Sequence, residues 1–290
     1  MGAEVAIVTD STAYLPPGLA ERHDITVVPL QLTVGGALRE EGVDISAADA
    51  AQALREWNPV TTSRPSPERF SAAYTAATAT GATAIVSVHL SGAMSGTVEA
   101  ARLAAEAAPV PVRVVDTGSI GMGLGFAALS AAATALTGAS LDEVAKAAMD
   151  RADICRSLFY VATLEHLRRG GRIGAAASLL GSALMVKPLL GIEDGRIAPL
   201  EKVRTASRAV ARLEELAVET AGTRPVDIAV QHLAAAARAE ALADRLRERI
   251  PHLVDVYVGE VGPVIGAHVG PGMLGVVVAP QLGTVSSAPG

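Results

Sequence analysis

The sequence predicts an α/β protein of two domains, and three observations support this fold class. Runs of β-branched residues alternate with helical segments over the first half of the chain, a pattern typical of βαβ units and a mostly parallel sheet. In the second half, Asp194-Gly195 separates two apolar runs and indicates a β-hairpin, so a mixed sheet is expected there. The length of 290 residues fits two domains of roughly 150 residues each. We therefore expect a three-layer α/β/α domain over 1–157 and a mixed-sheet α/β domain over 158–290.

Helix-capping signals define several elements of the N-terminal domain. Ser46 with Asp49 and Ser140 with Glu143 are capping-box pairs that predict where two helices begin. Ser66-Pro67 places serine at the N-cap and proline at the first helical position of another helix. The strands are predicted at 4–9, 25–30, 83–88 and 112–116, and the helices at 46–57, from 66, at 95–108, at 119–136 and from 140.

The C-terminal domain is expected to begin with a strand soon after residue 157. No linker rich in proline or serine marks the junction, so the two domains are expected to lie tightly against each other. The further elements are predicted as a strand at 159–163, a helix of small residues at 175–184, the hairpin at 189–197, helices at 205–220 and 234–249, and strands at 226–231, 254–258 and 273–278.

The composition excludes several classes of protein. Half of the residues are hydrophobic and 19% are charged, so the chain has ample apolar surface to bury and is not intrinsically disordered. The net charge of -6 argues against a general nucleic-acid binder. The run 117–141 carries no charged residue but consists largely of small residues, which predicts a buried helix and not a membrane span. With a single cysteine, Cys155, and no basic start typical of a signal peptide, a cytoplasmic protein without integral membrane association is expected.

Metal, nucleotide and hydrolase motifs are weak in this chain. The six histidines show no paired metal-ligand spacing, so no metal site and no cofactor are expected. The triplet Ser95-Gly96-Thr97 lacks the lysine of a phosphate-binding loop. The segment 92–96 lacks the spacing of a hydrolase nucleophile elbow.

Small polar residues follow several predicted strands. Ligands bind at this carboxyl edge in open α/β sheets, and helix N-termini there favour an anionic group. Each serine or threonine could instead act only as a helix N-cap, so it is the whole set that predicts a ligand site. The set comprises Asp10-Ser11-Thr12, the segment 88–97, Asp116-Thr117 with Ser119, and the loop 61–63.

Two further residues suit an anionic head group. Arg172 follows Gly170-Gly171 and could bind a phosphate or carboxylate bidentately, or it could belong to a solvated basic turn. His268 lies within the glycine-rich segment 262–272 and is either a site residue or a structural histidine.

Nine short motifs form an ordered set over nearly the whole chain. Together they resemble the DegV family of bacterial fatty-acid-binding proteins, the acyl-carrying subunits of fatty acid kinase. The motifs are VTDST at 8–12, TSRPS at 62–66, HLSGAMSGT at 89–97, DTGSIGMG at 116–123, LEHLRRGGRI at 164–173, KP at 187–188, DG at 194–195, KVRT at 202–205 and GAHVGPG at 266–272.

The resemblance implies a long-chain fatty acid buried in an apolar tunnel between or within two α/β domains. Its carboxylate would be held by hydroxyls and by one backbone N–H group. The chain would perform no chemistry alone and would present the carboxylate to a separate ATP-dependent kinase subunit, which makes an acyl phosphate. The residues implied for the head group are Thr62, Ser63, Ser95, Gly96 and His268, and further head-group or partner contacts are expected from Arg172, Arg204, Asp10 and Ser119.

Three positions depart from the family pattern. Gln is usual where Arg64 stands, a second Ser is common where Gly92 stands, and an Asp is usual at the position of Glu41. Arg64 adds charge beside the expected head-group site, so it could alter ligand preference or simply point to solvent.

An enzyme is the competing hypothesis. A hydrolase or phosphotransferase could use Ser95, His268 and Asp116, although nothing in their spacing favours a catalytic triad.

Overall fold

The computed structural model describes residues 4–56, 58–179 and 187–282, which form three β-sheets. The strands are β1 (Val5–Asp10), β2 (Ile25–Val28), β3 (Gln31–Val34), β4 (Ala37–Glu40), β5 (Val60–Ser63), β6 (Ala84–His89), β7 (Val112–Asp116), β8 (Arg156–Tyr160), β9 (Lys187–Glu193), β10 (Arg196–Val203), β11 (Val226–His232), β12 (Leu253–Glu260) and β13 (Leu274–Pro280). The helices are α1 (Leu19–Arg22), α2 (Ala47–Arg55), α3 (Pro67–Ala79), α4 (Thr97–Ala105), α5 (Met122–Ala135), α6 (Leu141–Ile154), α7 (Glu165–Arg169), α8 (Ala206–Ala221), α9 (Ala236–Arg249) and α10 (Pro263–Val269).

The N-terminal sheet is parallel, with strand order β2-β1-β6-β7. Helices α3 and α4 pack on one face, where Phe70 and Tyr74 meet Ile85. Helices α5 and α6 cover the other face, where Leu124 packs against Val86. The predicted three-layer α/β/α arrangement is therefore confirmed.

The C-terminal sheet is mixed, with strand order β10-β9-β8-β13-β11-β12. Only β11 and β12 pair in parallel, and the other neighbours are antiparallel. Asp194 (φ 47°) and Gly195 (φ 72°) both have positive φ, which is the geometry of a two-residue type I′ turn. This confirms the predicted mixed sheet and its hairpin.

Helices α8 and α9 cover the outer face of the mixed sheet, where Leu213 and Leu242 join one core with Ile228. The opposite face lies toward the N-terminal domain, and Met122 and Phe126 of α5 pack against it. Helix α5 is thus enclosed between the two sheets, because it is apolar on all sides. The buried helix predicted within 117–141 is confirmed, and no described helix is both long and apolar enough to cross a bilayer.

The sequence did not predict the small antiparallel sheet, with strand order β4-β3-β5. Residues 61–63 were expected as a loop, but they form most of β5, in which Thr62 pairs with the buried Leu32 of β3. These strands have four residues each, too few for a clear alternating pattern, so cross-strand pairing decides their structure.

Two other expectations change. The glycine-rich segment 262–272 contains a short helix that the sequence did not predict, Pro263–Val269, which begins with proline at its first turn. Residues Gly174–Leu179 form a 3-10 turn where a helix over 175–184 was predicted, and 180–184 lie outside the described residues, as does Trp57 at the predicted end of α2.

The parallel sheet uses residues 5–116 and the mixed sheet residues 156–280, and the domain boundary at 157 stays a prediction. A buried ion pair joins the two parts at the end of α6. Arg151 donates to Asp227 Oδ2 at 2.5 Å and also to the carbonyl of Pro280.

Candidate functional site

A cavity of about 440 Å³ lies between the N-terminal domain and the inner face of the mixed sheet. We call it the central cavity. Its volume falls within the usual range for small-molecule sites, and most of its lining is apolar. The apolar lining residues are Leu30, Leu90, Met94 and Ile120 from the N-terminal domain, Leu158, Phe159, Ile192, Ile197, Met273, Val276 and Val277 from the mixed sheet, and Leu167, Val261, Val264, Ile265 and Val269 around α7 and α10.

Polar side chains gather at one end of the central cavity, and we call this end the polar mouth. Three contacts bring its segments together: Thr62 with His268, Arg64 with the carbonyl of Gly96, and Arg172 with the carbonyl of Met94. The mouth opens to solvent, because Ser63 and Arg64 are exposed. The polar mouth consists of Thr62, Ser63, Arg64, Ser95, Gly96, Arg172 and His268.

Thr62 and His268 are the most closely joined pair of the polar mouth. Thr62 Oγ1 lies 2.8 Å from His268 Nε2, while His268 Nδ1 is buried and has no hydrogen-bond partner among the described residues. The His268 ring packs against Gly170, where any larger residue would clash, since a Cβ there would lie 2.0 Å from Nδ1. Burial and, to a smaller extent, the charge of Arg172 lower the pKa of His268 to about 4, so the ring is neutral near pH 7.

Ser95 and Gly96 precede helix α4. Ser95 Oγ lies 2.8 Å from Thr97 Oγ1 and accepts from the Thr97 N–H at 3.3 Å. Gly96 is the N-cap residue of α4, so its neighbourhood carries the positive end of the helix. Arg64 lies over Gly96, where a Cβ would come within 2.5 Å of the guanidinium. Arg64 therefore lies against Gly96 at the mouth and does not simply extend into solvent.

Arg172 bridges two segments of the mouth. Its guanidinium donates to the carbonyls of Gly170 at 2.7 Å and Met94 at 3.3 Å. These bonds hold the segment after α7 against the N-terminal domain and leave the second terminal nitrogen of Arg172 for another acceptor.

The sequence profile described as uncharacterised protein, DegV family, matches residues 4–281. This chain belongs to the DegV family. A DegV domain-containing protein of Streptomyces coelicolor is 62% identical over 279 residues, which span 96% of this chain and 99% of that protein.

Solved DegV structures share the whole architecture. A DegV family protein from Thermus thermophilus, described for its fatty acid binding, has a TM-score of 0.90 and 34% identity and covers 96% of this chain and 100% of its own. DegV from Bacillus subtilis, described as a fatty acid binding protein, has a TM-score of 0.88 and 32% identity, with 96% and 100% coverage. The predicted family and fold class are confirmed.

Three residues expected from the DegV resemblance to contact the head group or a partner lie away from the central cavity. Arg204 is exposed after β10. Ser119 is buried and lines a separate polar groove of about 800 Å³. Asp10 is fully buried, and its carboxylate accepts from the N–H groups of Thr12 at 3.1 Å and Leu90 at 3.1 Å, so it shapes the loop that carries Leu90 and does not face the cavity.

The side chains of the competing enzyme hypothesis do not form a triad in this DegV chain. Asp116 accepts from the N–H groups of Gly92 at 3.1 Å and Gly118 at 3.0 Å. His268 faces Thr62 through Nε2, and its Nδ1 has no carboxylate to orient it among the described residues.

A hydrogen-bonded Asp–His–Ser array that was not predicted from the sequence lies elsewhere in the N-terminal domain. Asp10 Oδ2 lies 3.0 Å from His89 Nδ1, His89 Nε2 lies 2.6 Å from Ser87 Oγ, and the Tyr74 hydroxyl donates to the same Ser87 oxygen at 2.9 Å. The signal was available, since residues two apart on a strand share a face. Ser87, His89 and Asp10 are fully buried and line none of the described cavities, so this array joins β1 to β6 and offers no nucleophile to a substrate.

Two polar residues of the central cavity were also missed. Gln231 accepts from the Met122 N–H at 3.0 Å, which ties the start of α5 to the mixed sheet. Ser157 has a buried hydroxyl without a partner among the described residues. Both lie on the inner face of the sheet, opposite Gly275 and Val277 of β13, and only the strand register reveals this.

Proposed function

We propose that this protein binds a long-chain fatty acid in the central cavity, with the carboxylate at the polar mouth. One observation carries the proposal: a mostly apolar cavity between the N-terminal domain and the mixed sheet ends in a cluster of hydroxyl, guanidinium and neutral imidazole groups. The fatty acid binding described for the Thermus thermophilus and Bacillus subtilis DegV proteins supports it.

Burial of the acyl chain supplies the driving force in this proposal. About 15 methylenes at about 0.8 kcal/mol each give roughly 12 kcal/mol before ordering and association costs are subtracted. The acyl chain would lie against Phe159 and Val277 of the mixed sheet and against Val264 and Ile265 of α10.

The carboxylate would accept hydrogen bonds from the hydroxyls of Thr62, Ser63 and Ser95 and from the N–H of Gly96. A carboxylate only accepts, so hydroxyls with a free proton suit it. Thr62 supplies such a proton if the neutral His268 ring donates from Nε2 to Thr62 Oγ1, a tautomer that we assign from the geometry.

The family resemblance extends the proposal to a partner. The chain would perform no chemistry alone and would present the carboxylate to a separate ATP-dependent kinase subunit. A carboxylate oxygen would attack the γ-phosphorus of ATP, ADP would leave, and an acyl phosphate would form. The position of the mouth at the surface, beside Arg64 and Arg172, is compatible with access by such a partner.

Mass spectrometry tests the binding proposal directly. The protein purified from cells and then denatured should release a fatty acid, and added oleate or palmitate should raise the melting temperature of the delipidated chain. Absence of lipid together with no thermal shift contradicts the proposal.

A coupled assay tests the presentation step separately. The oleate-loaded chain should produce ADP from ATP only when a fatty acid kinase subunit from the same organism is added. Steady ADP production by the chain alone, abolished by Ser95→Ala, would instead favour the enzyme hypothesis.

A further inference from the structure

A buried carboxylate, Glu41, lies next to helix α10 and outside the central cavity. Glu41 is only 4% exposed and follows β4. Its Oε2 accepts from the Ser11 hydroxyl at 2.5 Å, and its Oε1 accepts from the Tyr14 hydroxyl at 2.8 Å and from the Val264 N–H at 2.7 Å. Three donors from two distant parts of the chain therefore converge on one side chain.

This network holds three residues of the cavity wall. Val264 is bound directly by Glu41, and Ile265 donates its N–H to the Tyr14 hydroxyl at 3.1 Å. The N–H of Leu30 donates to Ser11 Oγ at 2.9 Å. Leu30, Val264 and Ile265 line the central cavity, whereas Ser11, Tyr14 and Glu41 do not.

The start of α10 packs closely against its two hydrogen-bond acceptors, Glu41 and Tyr14. A Cβ at Gly262 would lie 2.6 Å from Glu41 Oε1 and 2.6 Å from Tyr14 Cε1, so the backbone approaches as only glycine allows. Burial raises the pKa of Glu41, and the nearby charge of Asp10 raises it further, while the three hydrogen bonds act in the opposite direction. A buried carboxylate needs hydrogen-bond donors. Two of the three donors to Glu41, the Tyr14 hydroxyl and the Val264 N–H, also fix the start of α10.

Helix α10 connects the hydrogen bonds to Glu41 and Tyr14 at its start with the polar mouth at its end. Val264 and Ile265 lie at its first turn, and His268 and Val269 lie at its last. The helix has only seven residues, so a shift of its first turn moves His268 relative to Thr62.

We propose that Glu41 is the positioning residue for α10 and that, with Tyr14, it keeps this helix closed over the central cavity. Release of a bound fatty acid then requires the bonds from Val264 and Ile265 to this pair to open. The inference rests on the proposed fatty-acid function and adds the element that controls ligand exchange.

The main test compares release rates in four variants. Wild type, Glu41→Ala, Glu41→Gln and Tyr14→Phe are loaded with cis-parinarate, a fluorescent long-chain fatty acid, and release into excess lipid vesicles is followed by stopped flow. Glu41→Ala leaves the Val264 N–H without its acceptor, and we expect release to accelerate about tenfold or more. Glu41→Gln should restore most of the wild-type rate, because its amide oxygen can still accept from Val264, and Tyr14→Phe should lie between.

Glu143→Ala is the matched control. Glu143 also caps the start of a helix, through the capping box of α6, but α6 contributes no residue to the central cavity. This variant should lower the free energy of unfolding without changing the release rate. The proposal is overturned if Glu41→Ala releases cis-parinarate at the wild-type rate, or if Glu143→Ala accelerates release equally.

Hydrogen exchange separates this inference from the proposed function. In the ligand-free protein, Glu41→Ala should speed exchange at the amides of Val264 and Ile265 while leaving those of α6 unchanged. If the wild-type chain fails to bind cis-parinarate, the proposed function fails, and the exchange data still decide whether Glu41 holds α10. Unchanged exchange at both amides overturns the role of Glu41 itself.

Discussion

Thr62 and His268 are 206 positions apart, yet Thr62 Oγ1 lies 2.8 Å from His268 Nε2 at the entrance of the central cavity. Thr62 belongs to β5 and His268 to α10, two short elements that contact each other across the domain boundary. Because one partner comes from each domain, this contact forms only when both domains are folded and docked.

Removal of the Thr62 hydroxyl tests this site. Thr62→Val preserves shape and deletes the donor, so we expect the affinity for oleate to fall by about tenfold to a hundredfold, the range for a hydrogen bond to a charged group. Isothermal titration calorimetry of the delipidated protein measures it. Thr220→Val is the control, since that hydroxyl bonds only the Leu216 carbonyl of α8. Equal affinities of wild type and Thr62→Val would remove Thr62 from the site.

The lowered pKa of His268 predicts a pH dependence of stability. The folded ring has a pKa of about 4, against about 6.5 in the unfolded chain, so between these values the unfolded state binds the additional proton. Near pH 7 the His268 ring is neutral in both states and does not reduce the free energy of unfolding. As the pH drops from about 6.5 towards 4, the free energy of unfolding falls by up to roughly 3 kcal/mol.

Urea denaturation at several pH values checks this expectation. The difference between wild type and His268→Gln isolates the contribution of one ring, because all other titrating groups are shared. This difference should change through the window from pH 6.5 to 4 and stay constant above it. A difference that is independent of pH in that window contradicts the assigned burial of a neutral ring.

The buried pair of Arg151 and Asp227 should be essential for stability. Burial raises the pKa of Asp227, and Arg151 is the cation that keeps it paired. Arg151→Met leaves this carboxylate unpaired, so we expect a loss of about 3–5 kcal/mol in the free energy of unfolding. Arg113→Met breaks the exposed pair with Asp142 and should cost less than about 1 kcal/mol. Adding Asp227→Asn to Arg151→Met should recover part of the loss, and failure to do so would mean that packing of Arg151 on Phe126 dominates.

Docking of the hairpin tip on the N-terminal domain can be tested at Gly195. The Ser91 hydroxyl donates to the Gly195 carbonyl at 2.7 Å, and a Cβ at Gly195 would lie 2.5 Å from that hydroxyl. Gly195→Ala thus combines a strained φ of 72° with a clash, and we expect a loss of about 2–3 kcal/mol. Gly222→Ala is the control. It introduces backbone strain without a clash, because its φ is 58° and nothing lies within 4 Å of the added Cβ. Equal losses in the two variants, measured by urea denaturation, would mean that the tip is not docked in solution.

Local signals in the sequence were sufficient for many elements. The capping boxes Ser46–Asp49 and Ser140–Glu143 form as predicted, because both partners lie within one helical turn. The turn Asp194-Gly195 forms for the same reason, since its geometry depends on residues that tolerate positive φ.

Errors occurred where long-range contacts decide the structure. β5 is a strand because β3 pairs with it, and its four residues alone are compatible with a loop. Asp10 looked like a head-group contact because it ends a strand at the ligand edge, but His89 and the Leu90 N–H use its carboxylate in the interior. Only the register between β1 and β6 distinguishes these outcomes.

The family, the succession of most strands and helices, and the residue types at the cavity mouth follow from the sequence, because short-range propensities and the motifs along the chain encode them. Which of these residues lie together depends on the three-dimensional packing of the chain. It placed His268 beside Thr62, took Asp10 and Ser119 away from the cavity, and brought Glu41 to the start of α10. The physical reason is that such contacts join residues up to 251 positions apart, and their geometry follows from sheet register and domain docking, which no local pattern specifies.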